Sequence, residues 1–385
     1  MHFRHLTVRN WRNFTKVDVP LSERLFLVGP NAAGKSNLLD VFLFLKDLAK
    51  SDGGLQQAVE SRGTMKKLRS LFARSNPKIE IGVELHDPDT DDRWTYHIAI
   101  SQEQRGHHRP IIAAEKVTLN GKTLCDRPDP NDRSDPERLT QTWLEQISLN
   151  KDFRPLASIF QQTNYLHLVP QLLKFPTLAS REGNGHDPFG VRFLQRMMET
   201  TEKTRRSRLR KIERALQVAV PEFKDLLDVR DEITGQPHLE ATYRHWRPNG
   251  ARQREDQFSD GTLRLIGLLW SLLDGRSLLL LEEPEVSLHS DIIRELPSLM
   301  WRVQRETKTK RQLFVSTHSY EMLSDKGIRP SEILILEPSQ GEGTKVSNVA
   351  DIPELRTLLQ NGLSPADSVL PRTRPGNLQQ LSLFE

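Results

Sequence analysis

The alternation of apolar and polar residues predicts strands at the start of the chain. Residues 2–9 and 17–19 alternate as strands with one buried face do, whereas residues 25–28 form a short, wholly apolar run. Such a run is typical of a strand in a buried parallel sheet. The segment GPNAAGKSNLLDVFLFLKDLAK follows, and it predicts a glycine loop that opens a long amphipathic helix. These patterns indicate a strand–loop–helix unit of an α/β fold.

The same order returns after Phe258. FSDGT leads into an apolar helix that reaches Leu273, and the strand SLLLL, a helix after SLHS and the strand QLFVS follow. The middle of the chain, residues 52–250, is less regular. It predicts strands over 79–85 and 94–100, helices over 191–220, and an exposed loop at the polar stretch DRPDPNDRSDPER. The chain shows no repeats and no sustained heptads, which argues against a coiled coil.

Length and composition set broad limits on function. A chain of 385 residues forms one large or two medium domains. Its 55 basic and 51 acidic residues nearly cancel, so any charged surface must be local. The single cysteine, Cys125, excludes an internal disulfide and a thiolate zinc site. The chain has neither an apolar signal core nor a run of ~20 apolar residues, so we expect a cytoplasmic protein without membrane partners.

The segment GPNAAGKS has the spacing of a phosphate-binding P-loop and lies between a predicted strand and a predicted helix. Glycines let backbone N–H groups turn toward a phosphate, and the helix N-terminus attracts the same anion. Lys35 would reach the outer phosphates of ATP and Ser36 would bind Mg²⁺. The predicted ATP-binding residues here are Gly29, Pro30, Asn31, Ala32, Ala33, Gly34, Lys35, Ser36 and Asn37.

Two acidic residues follow the strand SLLLL, where parallel sheets present functional side chains. Glu282 is predicted to hold Mg²⁺, directly or through water, and Glu283 to deprotonate the attacking water. His318 follows the next apolar strand and is predicted to contact the γ-phosphate. With Lys35, these residues form the predicted catalytic set.

With these motifs, the chain resembles ABC-type ATPases of the RecF/SMC-like branch, and most closely the OLD-like group of AAA-family ATPases. The resemblance rests on residues 1 to about 60 and 250–340. FSDGTLRLIGLL looks like the family's signature loop. The resemblance implies that Ser259, Asp260 and Gly261 contact ATP held by a second protomer, so that the protein dimerises on ATP. It also implies that residues 285–289 form the D-loop at that interface and that Arg12 reaches the nucleotide.

Some positions depart from the family pattern. Asp260 stands where transporter ATPases usually have glycine, and Glu282 where most relatives have aspartate. Gln161 and Gln162 are alternative candidates for the Q-loop glutamine. The long separation of the two core parts predicts an inserted lobe of helices and strands. The expected division is ATPase core over 1–60, inserted lobe over 61–250, ATPase core over 251–340, and an extension with a flexible tail over 341–385.

Two further segments suggest partners. Residues 203–214 carry seven bases against one acid, and a helix here would bury Leu209, Ile212, Leu216 and Ala219 on its other face. The bases predicted to contact DNA phosphates are Arg205, Arg206, Arg208, Arg210, Lys211 and Arg214; the alternative is a solvated face. The tail resembles the peptide with which bacterial polymerases bind the sliding clamp, through Gln380, Leu381, Ser382, Leu383 and Phe384. Alternatively, the tail folds back or pairs as an edge strand.

Together these patterns predict a DNA-associated ATPase that acts in DNA repair, replication or anti-phage defence and gates a separate effector. Because no DxD pair follows His318, a nuclease effector would be a separate chain. One alternative is the nucleotide-binding subunit of a membrane transporter, against which the FSDGT loop, the long insertion and the tail all argue. Another is a low-turnover, ATP-dependent component of a toxin system.

Overall fold

The computed structural model describes residues 1–73, 78–175, 189–244, 251–306 and 311–374. The strands are β1 His2–Trp11, β2 Phe14–Pro20, β3 Arg24–Val28, β4 Ile79–His86, β5 Arg93–Gln102, β6 Pro110–Leu119, β7 Lys122–Arg127, β8 Asn164–Leu166, β9 Phe223–Arg230, β10 Pro237–Tyr243, β11 Ala251–Arg254, β12 Leu279–Glu282, β13 Leu313–Thr317, β14 Ile333–Ser339 and β15 Gly343–Asn348. The helices are α1 Lys35–Leu48, α2 Gly54–Glu60, α3 Met65–Leu68, α4 Pro130–Ser134, α5 Arg154–Gln161, α6 Pro170–Lys174, α7 Phe193–Glu199, α8 Glu202–Ala219, α9 Asp260–Leu273, α10 Ser290–Glu306, α11 Tyr320–Leu323, α12 Pro353–Gln360 and α13 Pro365–Val369. The strands and helices predicted around the motifs are confirmed.

A mixed sheet with the order β15-β14-β3-β13-β12-β8 forms the centre of the fold. Its strands are parallel except β15, which runs antiparallel to β14. Alternate residues of β3 enter two apolar clusters, with Leu25 and Leu27 on one face and Phe26 and Val28 on the other. This two-sided burial explains why β3 is apolar at nearly every position. Parallel register brings the carboxyl ends of β3, β12 and β13 to one edge.

A second sheet, antiparallel, has the order β2-β1-β4-β5-β6-β7. Its apolar face packs with α1 in the first of the two clusters. Strands from either side of the predicted boundary at residue 60 therefore share one sheet. The proposed boundary divides the sequence at this point, but it does not separate two layers of the fold. A three-stranded sheet, β11-β10-β9, packs beside α8. Its strands β9 and β10 belong to residues 61–250, and β11 begins the following core part.

The polar stretch from Asp126 to Arg138 was expected to be an exposed loop. Most of its residues are exposed, but it contains the short helix α4, and the expectation is wrong for two of its side chains. Arg127 and Asp132 are fully buried, and Arg127 forms ion pairs with Asp132 at 2.9 Å and with Glu115 at 3.0 Å. Because buried charges are tolerated when they are paired and hydrogen-bonded, a polar sequence fits a buried position here.

Candidate nucleotide site

The P-loop lies at the carboxyl end of β3 and leads directly into α1. Gly34 is the N-cap of α1 and has φ 96°, a conformation that favours glycine. A Cβ on Gly34 would also lie 2.2 Å from Nδ2 of Asn13, which leaves no room for a side chain. The loop backbone therefore lies close against the Asn13 side chain and ends at the N-terminus of α1. A glycine loop that ends at a helix N-terminus is an arrangement that binds phosphate.

Lys35 is buried within this loop. Its Nζ donates hydrogen bonds to the carbonyl oxygens of Gly29, at 3.0 Å, and Pro30, at 3.2 Å. Burial lowers the pKa of Lys35, and the carboxylates of Glu283, Glu285 and Glu282 partly oppose this shift. These hydrogen bonds hold the ammonium group beside the space that the P-loop encloses, where a phosphate would bind.

Ser36 and Glu282 are brought together as the sequence predicted. The hydroxyl of Ser36 donates to Oε1 of Glu282, and the hydroxyl of Tyr165 donates to Oε2 of the same carboxylate. A serine hydroxyl and a carboxylate are oxygen ligands of the kind that Mg²⁺ prefers, so the residues fit this ion. Tyr165 was missed by sequence analysis, because β8 is only three residues long and carries no motif.

Glu283 and His318 lie at the ends of adjacent strands. Nδ1 of His318 is 3.1 Å from Oε1 of Glu283, and both side chains remain partly exposed. Glu283 has φ 41°, and its backbone N–H donates to the carbonyl of Ser316 at 3.0 Å. This strained turn directs the carboxylate out of the strand, where it can reach a bound molecule.

The turn after Glu283 connects this edge with the predicted signature loop. Glu285 is buried and accepts a hydrogen bond from the hydroxyl of Thr317 at 2.5 Å, while burial raises the pKa of its carboxyl. Ser287 has φ 66°, and its carbonyl oxygen would lie 2.6 Å from a Cβ on Gly261. The residues predicted as the D-loop therefore pack closely on the predicted signature.

The signature residues are fixed at the start of α9. Ser259 is the N-cap and accepts a hydrogen bond from the N–H of Thr262 at 3.1 Å. Asp260 pairs with Lys174 at 2.8 Å. Within the described ranges, no hydrogen bond or ion pair joins Ser259, Asp260 or Gly261 to the P-loop of the same chain.

The turn between β1 and β2 lies beside the P-loop. Arg12 forms an ion pair with Asp40 of α1 at 2.7 Å, so the structure does not place it on the P-loop. Its neighbour Asn13 donates to the carbonyl of Ala33 at 2.8 Å and accepts from Asn37 at 2.8 Å. Asn13 is a second supporting residue that sequence analysis missed, although it adjoins Arg12 in the same motif.

The Q-loop candidates do not join the site. Gln161 donates to the carbonyl of Ala49, and Gln162 donates to the hydroxyl of Ser158 at 2.8 Å. Tyr165, a few residues further along, occupies the position beside Glu282.

The basic residues of α8 divide into two sets. Arg205 pairs with Asp228 at 2.6 Å and Arg208 with Asp274 at 2.8 Å, so internal contacts occupy both. Arg206 is exposed and pairs with Glu202 of the same helix at 2.5 Å. Among the bases predicted to contact DNA, Arg210, Lys211 and Arg214 are exposed and have no ion pair in the described part of the chain. The apolar face is confirmed for Leu209, Ile212 and Leu216, which are buried.

The predicted clamp-binding residues, 380–384, lie outside the described residues. In the described part, no helix combines the length and apolar character needed to cross a membrane.

The fold and the arrangement of the P-loop, acidic strand and following histidine define an ABC-type P-loop ATPase head. Residues 25–324 match the family described as "AAA domain, putative AbiEii toxin, Type IV TA system". The chain belongs to this family.

Solved structures support the fold. The structure of an Smc head bound to the C-winged helix domain of ScpA superposes with a TM-score of 0.53 at 15% identity, covering 90% of this chain and 97% of that chain. The Smc head with an extended coiled coil from Pyrococcus furiosus gives 0.53 at 12% identity, covering 93% and 99%. At these identities the likeness establishes the fold alone.

Two curated relatives match over short stretches. The DNA replication and repair protein RecF of Lactobacillus acidophilus is 33% identical over 96 residues, covering 21% of this chain and 26% of the relative. RecF of Chloroflexus aggregans is 46% identical over 46 residues, covering 12% of each chain. The chain thus spans about a quarter or less of the length of these relatives, and their activities are not transferred with the match.

Proposed function

We propose that this protein is a Mg²⁺-dependent ATPase that dimerises on ATP and couples hydrolysis to a DNA-associated process. The observation that carries the proposal is the meeting of Ser36, Glu282, Glu283 and His318 at the carboxyl edge of one sheet, beside the P-loop. Family membership and the RecF and Smc likenesses support the same class.

The chain supplies each part of a hydrolytic site. The P-loop amides and Lys35 bind the phosphates. Ser36 and Glu282 would hold Mg²⁺, which when bound would neutralise developing phosphate charge. Glu283 accepts a proton from water while the water oxygen bonds to the γ-phosphorus. The bond from the γ-phosphorus to the bridging oxygen breaks, and its electron pair leaves with ADP. His318 orients the γ-phosphate.

We place a second copy of the chain over this site. Ser259, Asp260 and Gly261 of one protomer would contact ATP on the other, and hydrolysis would release the dimer. Within the described residues, no hydrogen bond or ion pair joins these three residues to the P-loop of their own chain, which supports this arrangement. DNA contacts are assigned to Arg206, Arg210, Lys211 and Arg214, while Arg205 and Arg208 stabilise α8.

The setting of the activity is a DNA repair, replication or anti-phage process, in which the ATP cycle gates a separate effector such as a nuclease. Clamp binding through residues 380–384 remains part of this proposal. The family description favours a second candidate, an ATP-dependent component of a toxin–antitoxin system with little turnover. The two candidates differ in the rate of hydrolysis.

Phosphate release from Mg-ATP tests the proposal. We expect hydrolysis by the wild-type chain and a loss of about a hundredfold or more in kcat for Glu283→Gln, with ATP affinity retained. Glu84→Gln, at an exposed position of β4 in the antiparallel sheet, is the matched control and should hydrolyse ATP normally. Negligible hydrolysis by the wild-type chain, with tight ATP binding, would favour the low-turnover candidate. Equal rates for Glu283→Gln and the wild type would remove Glu283 from its role.

A further inference from the structure

A C-terminal extension, residues 353–373, packs against the segment that follows His318. It comprises α12, α13 and a short 3₁₀ turn, and it lies beyond residues 25–324 of the family match. Leu355 and Val369 of the extension share an apolar cluster with Met322 and Leu323 of α11. The extension is therefore docked on the helix that begins two residues after His318.

One hydrogen bond joins the extension to that segment at its surface. The hydroxyl of Tyr320 donates to Oδ1 of Asp367 at 2.7 Å. The other carboxylate oxygen of Asp367 accepts from the hydroxyl of Ser364 at 2.6 Å, which fixes the carboxylate at the start of α13. The Tyr320 side chain is half exposed, so this bond rather than close packing holds its position.

The chain on both sides of His318 is anchored. Thr317 donates to the buried carboxyl of Glu285, and Ser319 caps α11 by accepting from the N–H of Met322 at 3.2 Å. The His318 ring itself is half exposed and contacts Glu283 at 3.1 Å. A ring with so little packing takes its position from the anchored backbone next to it.

We propose that Tyr320 and Asp367 are positioning residues for His318, so that the docked extension forms part of the catalytic unit. The proposal rests on the proposed function, since it assigns His318 to the γ-phosphate. Loss of the bond frees Tyr320, the first residue of α11, from the extension, and the imidazole two residues earlier then departs from the geometry that hydrolysis requires. A misplacement of about 1 Å caused by a change far from the reacting atoms can lower the rate about a hundredfold.

Steady-state hydrolysis of Mg-ATP by the full chain tests the proposal. We expect Tyr320→Phe, which removes one hydroxyl, and Asp367→Ala to lower kcat about tenfold or more with KM for ATP unchanged. Asp367→Asn keeps an oxygen that accepts from Tyr320 and should retain most of the wild-type kcat. The matched control is Arg372→Ala, which breaks the exposed 2.7 Å ion pair to Glu354 elsewhere in the extension and should leave kcat unchanged.

A second measurement does not need turnover. NMR spectra of histidine-labelled protein report the His318 ring, assigned with His318→Ala. Tyr320→Phe should shift the His318 resonances, as should Glu283→Gln, whereas Arg372→Ala should leave them unchanged.

Wild-type resonances and wild-type kcat in Tyr320→Phe would overturn the positioning role. If the wild-type chain fails to hydrolyse ATP, the proposed function fails instead. If His318→Ala keeps full kcat, the assignment of His318 to the γ-phosphate fails. The ring resonances then decide by themselves whether Tyr320 and Asp367 position His318.

Discussion

Glu282 is held from two sides, because Ser36 and Tyr165 each donate to one of its carboxylate oxygens. Burial and the nearby Glu282 raise the pKa of Tyr165, so its hydroxyl keeps its proton and remains a donor. Replacing a residue that orients a metal ligand in this way typically lowers metal affinity or activity about 10- to 100-fold.

We therefore expect Tyr165→Phe to raise the Mg²⁺ concentration needed for half-maximal hydrolysis about tenfold or more, because Glu282 loses one of its two constraints. Titration of Mg²⁺ at saturating ATP measures the change. Tyr96→Phe is the control, since the Tyr96 hydroxyl donates to Glu115 at 3.2 Å within the antiparallel sheet. An unaltered Mg²⁺ requirement in Tyr165→Phe would show that the tyrosine does not orient Glu282.

At the scale of residues, the sequence predicts the role of a side chain when the residue belongs to a recognisable local motif. Lys35, Ser36 and Glu282 each belong to a local pattern between a strand and a helix. Tyr165 and Asn13 contact the site from segments with no such pattern, and only the folded chain brings them there. Their roles could not be predicted from periodicity or spacing.

Among the elements, α8 shows that a helical pattern predicts which face is buried but not which charged side chains form ion pairs. Its period correctly predicts the buried face. The pattern cannot show that Arg205 and Arg208 form ion pairs within the protein. Their partners, Asp228 and Asp274, come from β9 and from the turn after α9. The same limit applies to Arg127, whose buried pairing with Glu115 and Asp132 is invisible in a polar, proline-rich sequence.

The exposed bases of α8 give a prediction for DNA binding. Replacing Arg210, Lys211 and Arg214 with alanine should weaken DNA binding for every sequence and reduce the slope of log affinity against log salt by about 3, roughly one unit for each phosphate contact. Fluorescence anisotropy over a salt series measures both quantities.

The control replaces three exposed lysines on other elements, Lys66, Lys67 and Lys122. It should leave the slope within about half a unit of wild type. A similar loss in both variants would mean that the positive charge of the whole chain, and not α8, attracts DNA.

At the scale of the whole molecule, the parallel order of β3, β13 and β12 brings the P-loop, His318 and the acidic pair to one edge. The sequence predicts these three strands and thus the core of the site. It does not predict that β4–β7 join β1 and β2 in one sheet, because antiparallel pairing between distant segments has no local signature. In the part of the chain that the structure describes, no hydrogen bond or ion pair joins the predicted signature loop to the P-loop of its own chain, and the account therefore places a second copy over the site.

The central claim is that ATP joins two copies of this chain. Size-exclusion chromatography with light scattering of Glu283→Gln, in Mg-ATP, Mg-ADP and no nucleotide, tests it most directly. We predict that Mg-ATP alone doubles the mass, and that the double variant Ser259→Arg/Glu283→Gln binds ATP without doubling. The same mass in all three conditions, with ATP shown to be bound to Glu283→Gln, would contradict the account.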